Sequence, residues 1–220
     1  MAMRYIWGTI GFDRKLWTGK PIQDGVELTL VSQDGEMGSP GTLTAKVTYT
    51  LVKNGLTILY QETCNKPTVV NLTNHTYFNL SGNDQTDVLG HEVTLHAETF
   101  TPIDKTLVPT GEVRRVEGTP FDFLTKHAIG ERVGSDYEQI RLAGGYDHNW
   151  VQEGQAGTLR EAAFVRDPKT GRTLTVETTE PGVQFYSANL LDGAFTGRHG
   201  KRYTKHIGVL PGGTALSQLT

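Results

Sequence analysis

The stretch Asn71–Leu80, which reads NLTNHTYFNL, sets one histidine among three asparagines and two aromatic residues. This histidine, His75, could donate a proton to an ether oxygen of a bound ligand, because imidazole gains and loses a proton near neutral pH. An isolated histidine in a β-rich protein is more often structural, so a structural role stays open on pattern alone. The stretch predicts a site for a polar ligand around His75.

Two later segments carry side chains that can form several hydrogen bonds. Asp147 lies in Gly144–Trp150, which reads GGYDHNW, and a carboxylate can accept two hydrogen bonds from one ligand. A carboxylate after a glycine pair can equally cap a turn. Gln184 lies in Glu180–Gly193, which reads EPGVQFYSANLLDG, and its amide can donate to and accept from one ligand. Both residues are therefore candidates for ligand binding.

The residues beside these candidates are expected to be structural. His148 is predicted to point away from the ligand or to support its loop. Phe185 and Tyr186 are predicted to lie mainly in the core.

Other kinds of chemistry find little support. The glycine-rich residues 33–41 lack the lysine and following helix of a phosphate-binding loop, and no G-x-S-x-G nucleophile motif occurs. The remaining histidines show no ligand-like spacing with each other or with Cys64, so no metal is expected. They are His91, His96, His127, His199 and His206.

Alternation of apolar and polar residues dominates the chain and predicts strands. The predicted strands cover residues 26–31, 43–51, 56–60, 69–72, 91–97, 158–166 and 173–178. The turn Lys53–Gly55 should join two of them into a hairpin, and residues 101–123 should form a long crossing loop. No segment keeps a helical period over three turns. The pattern predicts an all-β sandwich of antiparallel strands.

Composition favours one domain that binds a small neutral ligand. The chain of 220 residues can bury one core, so residues 1–220 are expected to form a single domain. With 21 basic and 24 acidic residues and no charged block, neither nucleic acid nor a membrane is an expected partner. Cys64 is the sole cysteine, and residues 1–11 lack a signal-peptide core, so a cytoplasmic location is expected.

Asn71–Leu80, Gly144–Trp150 and Glu180–Gly193, in this order, resemble the aldose 1-epimerases, or galactose mutarotases. The resemblance implies a galactose mutarotase-like antiparallel β-sandwich, a supersandwich. It also implies interconversion of the α and β anomers of free hexoses such as glucose and galactose, without a cofactor.

Residue roles also follow from the resemblance. His75 would protonate the ring oxygen of the sugar, and Thr76 and Tyr77 would line the same site. Asp147 would accept hydrogen bonds from sugar hydroxyls, and Gln184 would bind the same sugar. Family sites also use an aromatic wall, which leaves a second role open for the aromatic pair after Gln184.

Ring opening needs a base as well as an acid, and the family pattern for that base is missing. The family uses a glutamate in a C-L-E-x-Q segment near its C-terminus, with an arginine and a first histidine in L-H-G-G upstream. Residues 8–17 match the segment after that histidine, so Ile6 stands in the histidine's place and Trp7 in that of the first glycine. The fold is therefore expected to be incomplete, without the family's N-terminal strands, and to have unpaired sheet edges.

The C-terminal loss suggests a shifted reading frame. Residues 209–220 can be written in codons from which deletion of one T yields V-C-L-E-A-Q-H-F-P-N-S, the missing motif with its glutamate. We hypothesise a one-nucleotide shift after Gly208. A transcript sequence without an extra base across codons 208–210 would exclude it.

Three interpretations stay open: an aldose 1-epimerase that is weak or inactive, a non-catalytic carbohydrate-binding relic, and a fragment that does not fold alone. Sugar-phosphate epimerases are disfavoured, because no arginine cluster is placed to bind a phosphate. The preferred sugar and the oligomeric state do not follow from the sequence.

Overall fold

The computed structural model describes residues 10–82, 86–197 and 200–214. It separates into two compact units, the first ending at Leu72 and the second beginning at Thr73. The expectation of a single domain over residues 1–220 stays a prediction. Ile6, Trp7 and His199 lie outside the described residues.

The first unit contains one antiparallel sheet of four strands in the order β1-β2-β3-β4. The strands are β1 (Thr18–Ile22), β2 (Gly25–Ser32), β3 (Leu43–Val52) and β4 (Gly55–Cys64). β3 and β4 form a hairpin whose pairing runs from Val52 opposite Gly55 to Leu43 opposite Cys64. The sequence predicted this hairpin because both strands alternate and a tight-turn signal separates them.

The two ends of this hairpin differ in burial. Leu43, Ala45 and Val47 on β3 are buried, as their period of two requires. Near the turn, Leu51 and Leu56 are 67% and 54% exposed. The hairpin therefore presents apolar side chains to solvent at its turn end.

The second unit contains the remaining strands and two short helices. Its strands are β5 (Glu92–Leu95), β6 (Thr99–Thr101), β7 (Arg114–Arg115), β8 (His127–Ala128), β9 (Asp147–Val151), β10 (Arg160–Arg166), β11 (Thr173–Thr178), β12 (Gly182–Tyr186), β13 (Asp192–Thr196), β14 (Arg202–Thr204) and β15 (Leu210–Thr214). The helices are α1 (Ile129–Arg132) and α2 (Glu138–Ala143). Among the described residues, no helix is long and apolar enough to cross a membrane.

Two antiparallel sheets of the second unit share one core. Their strand orders are β11-β10-β5-β8 and β15-β12-β9-β6-β7. Leu95 and Val165 from the first of them pack in the same cluster as Phe100, Trp150 and Phe185 from the other. All five side chains are fully buried. The core therefore lies between the two sheets, which is the arrangement of a β-sandwich.

The predicted strands agree with the structure where alternation is clear. Residues 26–31 lie within β2, and residues 173–178 coincide with β11. The strands predicted over 91–97 and 158–166 are shorter, as β5 and β10. The strand predicted over 69–72 is wrong: the structure has no strand at these residues.

Candidate functional site

Antiparallel pairing of β9 with β12 sorts the candidate polar residues onto one face of the larger sheet. Tyr186 pairs with Asp147, and Phe185 pairs with His148. Because side chains alternate along a strand, Phe185 and His148 point into the core, where both are buried. Asp147, Gln184 and Tyr186 share the opposite face.

Asp147 and Gln184 contact each other on that face. Gln184 Nε2 donates a hydrogen bond of 2.8 Å to Asp147 Oδ1, as diagonal neighbours on paired strands can. Burial raises the pKa of Asp147 above its ordinary value, whereas the hydrogen bond from Gln184 and the charge of His75 lower it. The carboxylate is therefore a partly desolvated acceptor that Gln184 holds in one orientation.

His148 is structural, as expected from the sequence. Its Nδ1 accepts the backbone N–H of Asp147 at 3.2 Å, so the Nε2 side carries the proton and donates to Gln139 Oε1 at 3.1 Å. Gln139 in turn bonds both backbone groups of Ile103. Burial lowers the pKa of His148 to about 3, so the ring stays neutral. This network supports β9 from the core side.

The segment with His75 is held against the C-terminal strands by backbone hydrogen bonds. Phe78 N donates to Val209 O at 2.8 Å, and Val209 N donates to Phe78 O at 2.9 Å. Asn74 Oδ1 accepts the backbone N–H of Thr76 at 3.0 Å, which fixes the turn that contains His75. The segment therefore reaches the site face as an ordered loop.

His75 lies in a group of three aromatic rings. Its ring centroid is 5.2 Å from that of Tyr77 and 6.4 Å from that of Tyr186. The two tyrosine rings are 6.1 Å apart. We call His75, Tyr77 and Tyr186 the aromatic triangle. It places the candidate acid on the face that carries Asp147.

The candidate residues differ in their contacts at the site face. His75, Tyr77, Asp147 and Gln184 come together at this face through the contacts given above. Thr76 is exposed, and its backbone N–H donates to the Asn74 side chain within the loop. The assignment of Thr76 to the sugar site stays a prediction, as do the individual roles of the other four.

Two positions at the site were not identified from the sequence. Tyr186 is buried at 8% exposure, as expected, and it also rises from the face that carries Asp147; its spacing of two from Gln184 is the signal for that face. Gly212 on β15 pairs with Gln184. A Cβ at Gly212 would lie 3.2 Å from Thr73 Oγ1 and 3.3 Å from Asn74 O, which places it beside the segment that carries His75.

Gly212 is also the position to which the hypothesis of a shifted reading frame assigns a glutamate. In the frame-restored sequence V-C-L-E, which starts at residue 209, the glutamate takes the place of Gly212. The structure thus puts this position next to Gln184 and on its face of the sheet. Within residues 10–82, 86–197 and 200–214, no three His, Cys, Asp or Glu side chains converge as a metal site requires.

Comparisons with known proteins agree on one family. The family model for aldose 1-epimerase matches residues 8–210. Human galactose mutarotase is 43% identical over 201 residues, which cover 91% of this chain and 57% of that protein. Aldose 1-epimerase of Escherichia coli K12 is 38% identical over 188 residues, or 84% of this chain and 54% of the bacterial enzyme. The chain therefore spans little more than half the length of these relatives.

Solved structures show the same relationship. The crystal structure of an aldose epimerase homologue from C. elegans superposes with a TM-score of 0.82 at 27% identity, covering 94% of this chain and 61% of that one. Galactose 1-epimerase from Lactobacillus acidophilus gives a TM-score of 0.79 at 26% identity, covering 92% of this chain and 59% of that one. The expected fold is confirmed, and the chain belongs to the aldose 1-epimerase family.

Proposed function

We propose that this chain binds free hexoses such as glucose or galactose at the face formed by His75, Asp147 and Gln184. We further propose that it interconverts their anomers slowly at most, and that it does so in the cytoplasm. One observation carries the proposal. The side chains of His75, Asp147 and Gln184, to which we assign the acid and binding roles, lie on one face, whereas Gly212, the partner of Gln184 in the sheet, has no side chain that could act as a base.

The chemistry explains why the loss of one group matters. Protonation of the ring oxygen by His75 weakens the C1–O5 bond, and a base must remove the proton of the C1 hydroxyl as the C1=O bond forms. The open aldehyde rotates about C1–C2 and closes on its other face, which returns both protons. An acid without its base partner forfeits about 10²–10⁴ in rate.

Asp147 and Gln184 are suited to holding the sugar during these steps. Asp147 can accept hydrogen bonds from sugar hydroxyls with the oxygen that Gln184 does not use, and Gln184 can accept through Oε1. Hydrogen bonds that involve a charged acceptor in a partly desolvated place each contribute about 1.5–3 kcal/mol to binding. These residues therefore support sugar binding even where catalysis is weak.

The test of catalysis restores a carboxylate at residue 212. Polarimetry should follow the anomerisation of α-glucose and α-galactose by the native chain, by Gly212→Glu and by the isosteric amide variant Gly212→Gln. We expect the glutamate variant to exceed the native chain by about 10²-fold or more, and the glutamine variant to gain little. Equal rates for the two variants would show that residue 212 is not the missing base position.

Two controls keep this test interpretable. Gly212→Ala measures the cost of a Cβ that must pass within 3.2 Å of Thr73 Oγ1. Thermal unfolding of each variant shows whether the strand tolerates the change. A variant that unfolds below the assay temperature shows that the strand does not tolerate its side chain. The rate of such a variant is compared only with that of Gly212→Ala.

A non-catalytic sugar-binding role is the second candidate, and the bare position at Gly212 favours it. A sugar that binds the native state alone must raise the apparent stability. Stabilisation by galactose or glucose, together with anomerisation at the buffer rate, would support this candidate. If neither galactose nor glucose raised the unfolding temperature, binding of these sugars would be excluded.

Dye binding before heating and a broad unfolding profile would instead indicate a fragment that does not fold alone.

A further inference from the structure

We propose that Tyr186 is a positioning residue, which holds the imidazole of His75 beside Asp147. This inference rests on the proposed function, because it assigns the orientation of the proton donor at that site to an aromatic side chain on β12.

Tyr186 lies between the loop that carries His75 and the strand that carries Asp147. It is the residue opposite Asp147 in the ladder of β9 and β12, so both side chains rise side by side from the same face. His75 instead lies on a loop whose own hydrogen bonds involve its neighbours, Asn74 and Thr76. A loop backbone fixes the position of Cα but leaves the imidazole free to rotate.

Tyr186 is itself firmly held. It is 8% exposed and packs with Ala188 and Leu210 in a small apolar cluster that Leu191 extends. The backbone N–H of Leu190 donates to the Tyr186 hydroxyl at 3.0 Å. A ring anchored at both its apolar face and its polar end can restrain a neighbour.

The contact with His75 is edge-on. The interplanar angle between the His75 and Tyr186 rings is 67°, at a centroid distance of 6.4 Å. Tyr77 closes the aromatic triangle from the loop side at 5.2 Å from His75. Edge-to-face packing, as between His75 and Tyr186, is one of the preferred arrangements of neighbouring aromatic rings. Removal of Tyr186 should therefore loosen His75 while the bond between Asp147 and Gln184 remains.

The first experiment reads the ring contact and needs no sugar. Aromatic NMR of the full chain should show a nuclear Overhauser contact between the His75 and Tyr186 rings. Tyr186→Leu should shift the His75 ring resonances, whereas Tyr186→Phe, which keeps the ring, should leave them close to native. Tyr203→Leu, on β14, removes a tyrosine from another sheet and should not move them. Unchanged His75 resonances in Tyr186→Leu would overturn the proposal.

The second experiment reads the consequence for sugar binding through double-mutant cycles with galactose. Tyr186→Leu and His75→Ala should each weaken binding about tenfold, and the two changes together should weaken binding scarcely more than either change alone. Asp147→Asn should keep its full effect in the Tyr186→Leu background. Independent effects of Tyr186→Leu and His75→Ala would assign Tyr186 a general packing role and contradict the proposal.

The two experiments separate this inference from the proposed function. If the native chain binds no sugar, the proposed function fails, and the ring resonances alone decide whether Tyr186 orients His75. If sugar binds but the cycle is additive, the proposed function stands and the positioning role falls.

Discussion

The ionised carboxyl group of Asp147 lowers the stability of the fold, although the same charge suits it to bind a ligand. Its burial beside β12 raises its pKa, because the charged form loses hydration, and Gln184 and His75 offset this cost only in part. A raised pKa in the folded state means that ionisation disfavours folding. The stability linked to this group is therefore fully present below the ordinary carboxyl range and is lost as the pH rises through the raised pKa.

Replacement of Asp147 by asparagine should separate stability from binding. The amide introduced by Asp147→Asn can still accept the hydrogen bond from Gln184 but never ionises, so the variant should unfold at a higher temperature than the native chain near neutral pH. The difference should shrink as the pH falls to about 4. Sugar affinity should drop about tenfold or more, because the charged acceptor is lost.

Thermal unfolding across this pH range and titration with galactose measure the two effects separately. Gln184→Leu is the matched control, because it removes the hydrogen bond and leaves the carboxyl group in place. A stability difference that does not vary with pH would contradict the assignment of the effect to ionisation of Asp147.

Asn79 is a polar residue of the Asn71–Leu80 segment whose side chain bonds the backbone of the protein itself. Its Nδ2 donates to the backbone carbonyls of Ile207 and Thr86, and its Oδ1 accepts from the backbone and the hydroxyl of Ser81. Irregular backbone leaves such groups without ladder partners, and a short amide can serve several of them. The amide therefore joins the loop that follows the His75 segment to the backbone of Ile207.

At the scale of strands, alternation in the sequence predicted β3, β4 and β11 well, because each has one wetter and one drier face. The site strands were harder to predict. β12 reads GVQFY, and its outward tyrosine hides the period of two, while β15 reads LPGGT, a composition that strands usually avoid. His75, Asp147 and Gln184 were candidates from their side-chain chemistry and from the family resemblance, whereas the placement of Tyr186 and Gly212 beside them follows from the register between strands.

Close packing between β9 and β12 leads to a prediction at Gly182. A Cβ at this position would lie 2.1 Å from Asn149 Oδ1 and 2.9 Å from its Cγ. Gly182→Ala should therefore force the Asn149 amide to move and cost about 1–3 kcal/mol in the free energy of unfolding. Denaturant unfolding measures this loss.

Two further variants test the reason for that loss. Gly90→Ala should be nearly neutral, because a Cβ at Gly90 meets no atom within 4 Å. In the double variant with Asn149→Ala, the added methyl should cost clearly less than it does alone. Additive losses would mean that the strain lies elsewhere than in the Asn149 amide.

At the scale of the whole molecule, the first unit ends in an exposed apolar strand. β4 is an outermost strand of its sheet in the part of the chain that the structure describes, and it is ten residues long. Leu56 and Leu59 on it are 54% and 51% exposed. Long edge strands with exposed apolar side chains readily pair with other chains unless charge or proline blocks them. The opposite edge, β1, carries such blocks in Lys20 and Pro21, whereas β4 carries a charge only at Glu62, beyond the two leucines.

This asymmetry predicts self-association through β4. Replacement of both leucines by lysine, Leu56→Lys with Leu59→Lys, should lower the average particle mass in concentrated solutions and leave cooperative unfolding intact. Light scattering during gel filtration measures the mass. Leu16→Lys is the control, because Leu16 is 95% exposed but lies outside the strands. A native chain that stays monomeric at high concentration would refute the prediction.

The pairing of β15 with β12 has a consequence for how such chains are recognised. Main-chain amides and carbonyls form this ladder, and a carbonyl accepts in the same way whether its residue is leucine, proline, glycine or glutamate. A sheet can therefore keep its outline while the side chains of one strand are replaced. Comparison of shape alone therefore does not distinguish a strand that carries a glutamate at residue 212 from one that carries a glycine there.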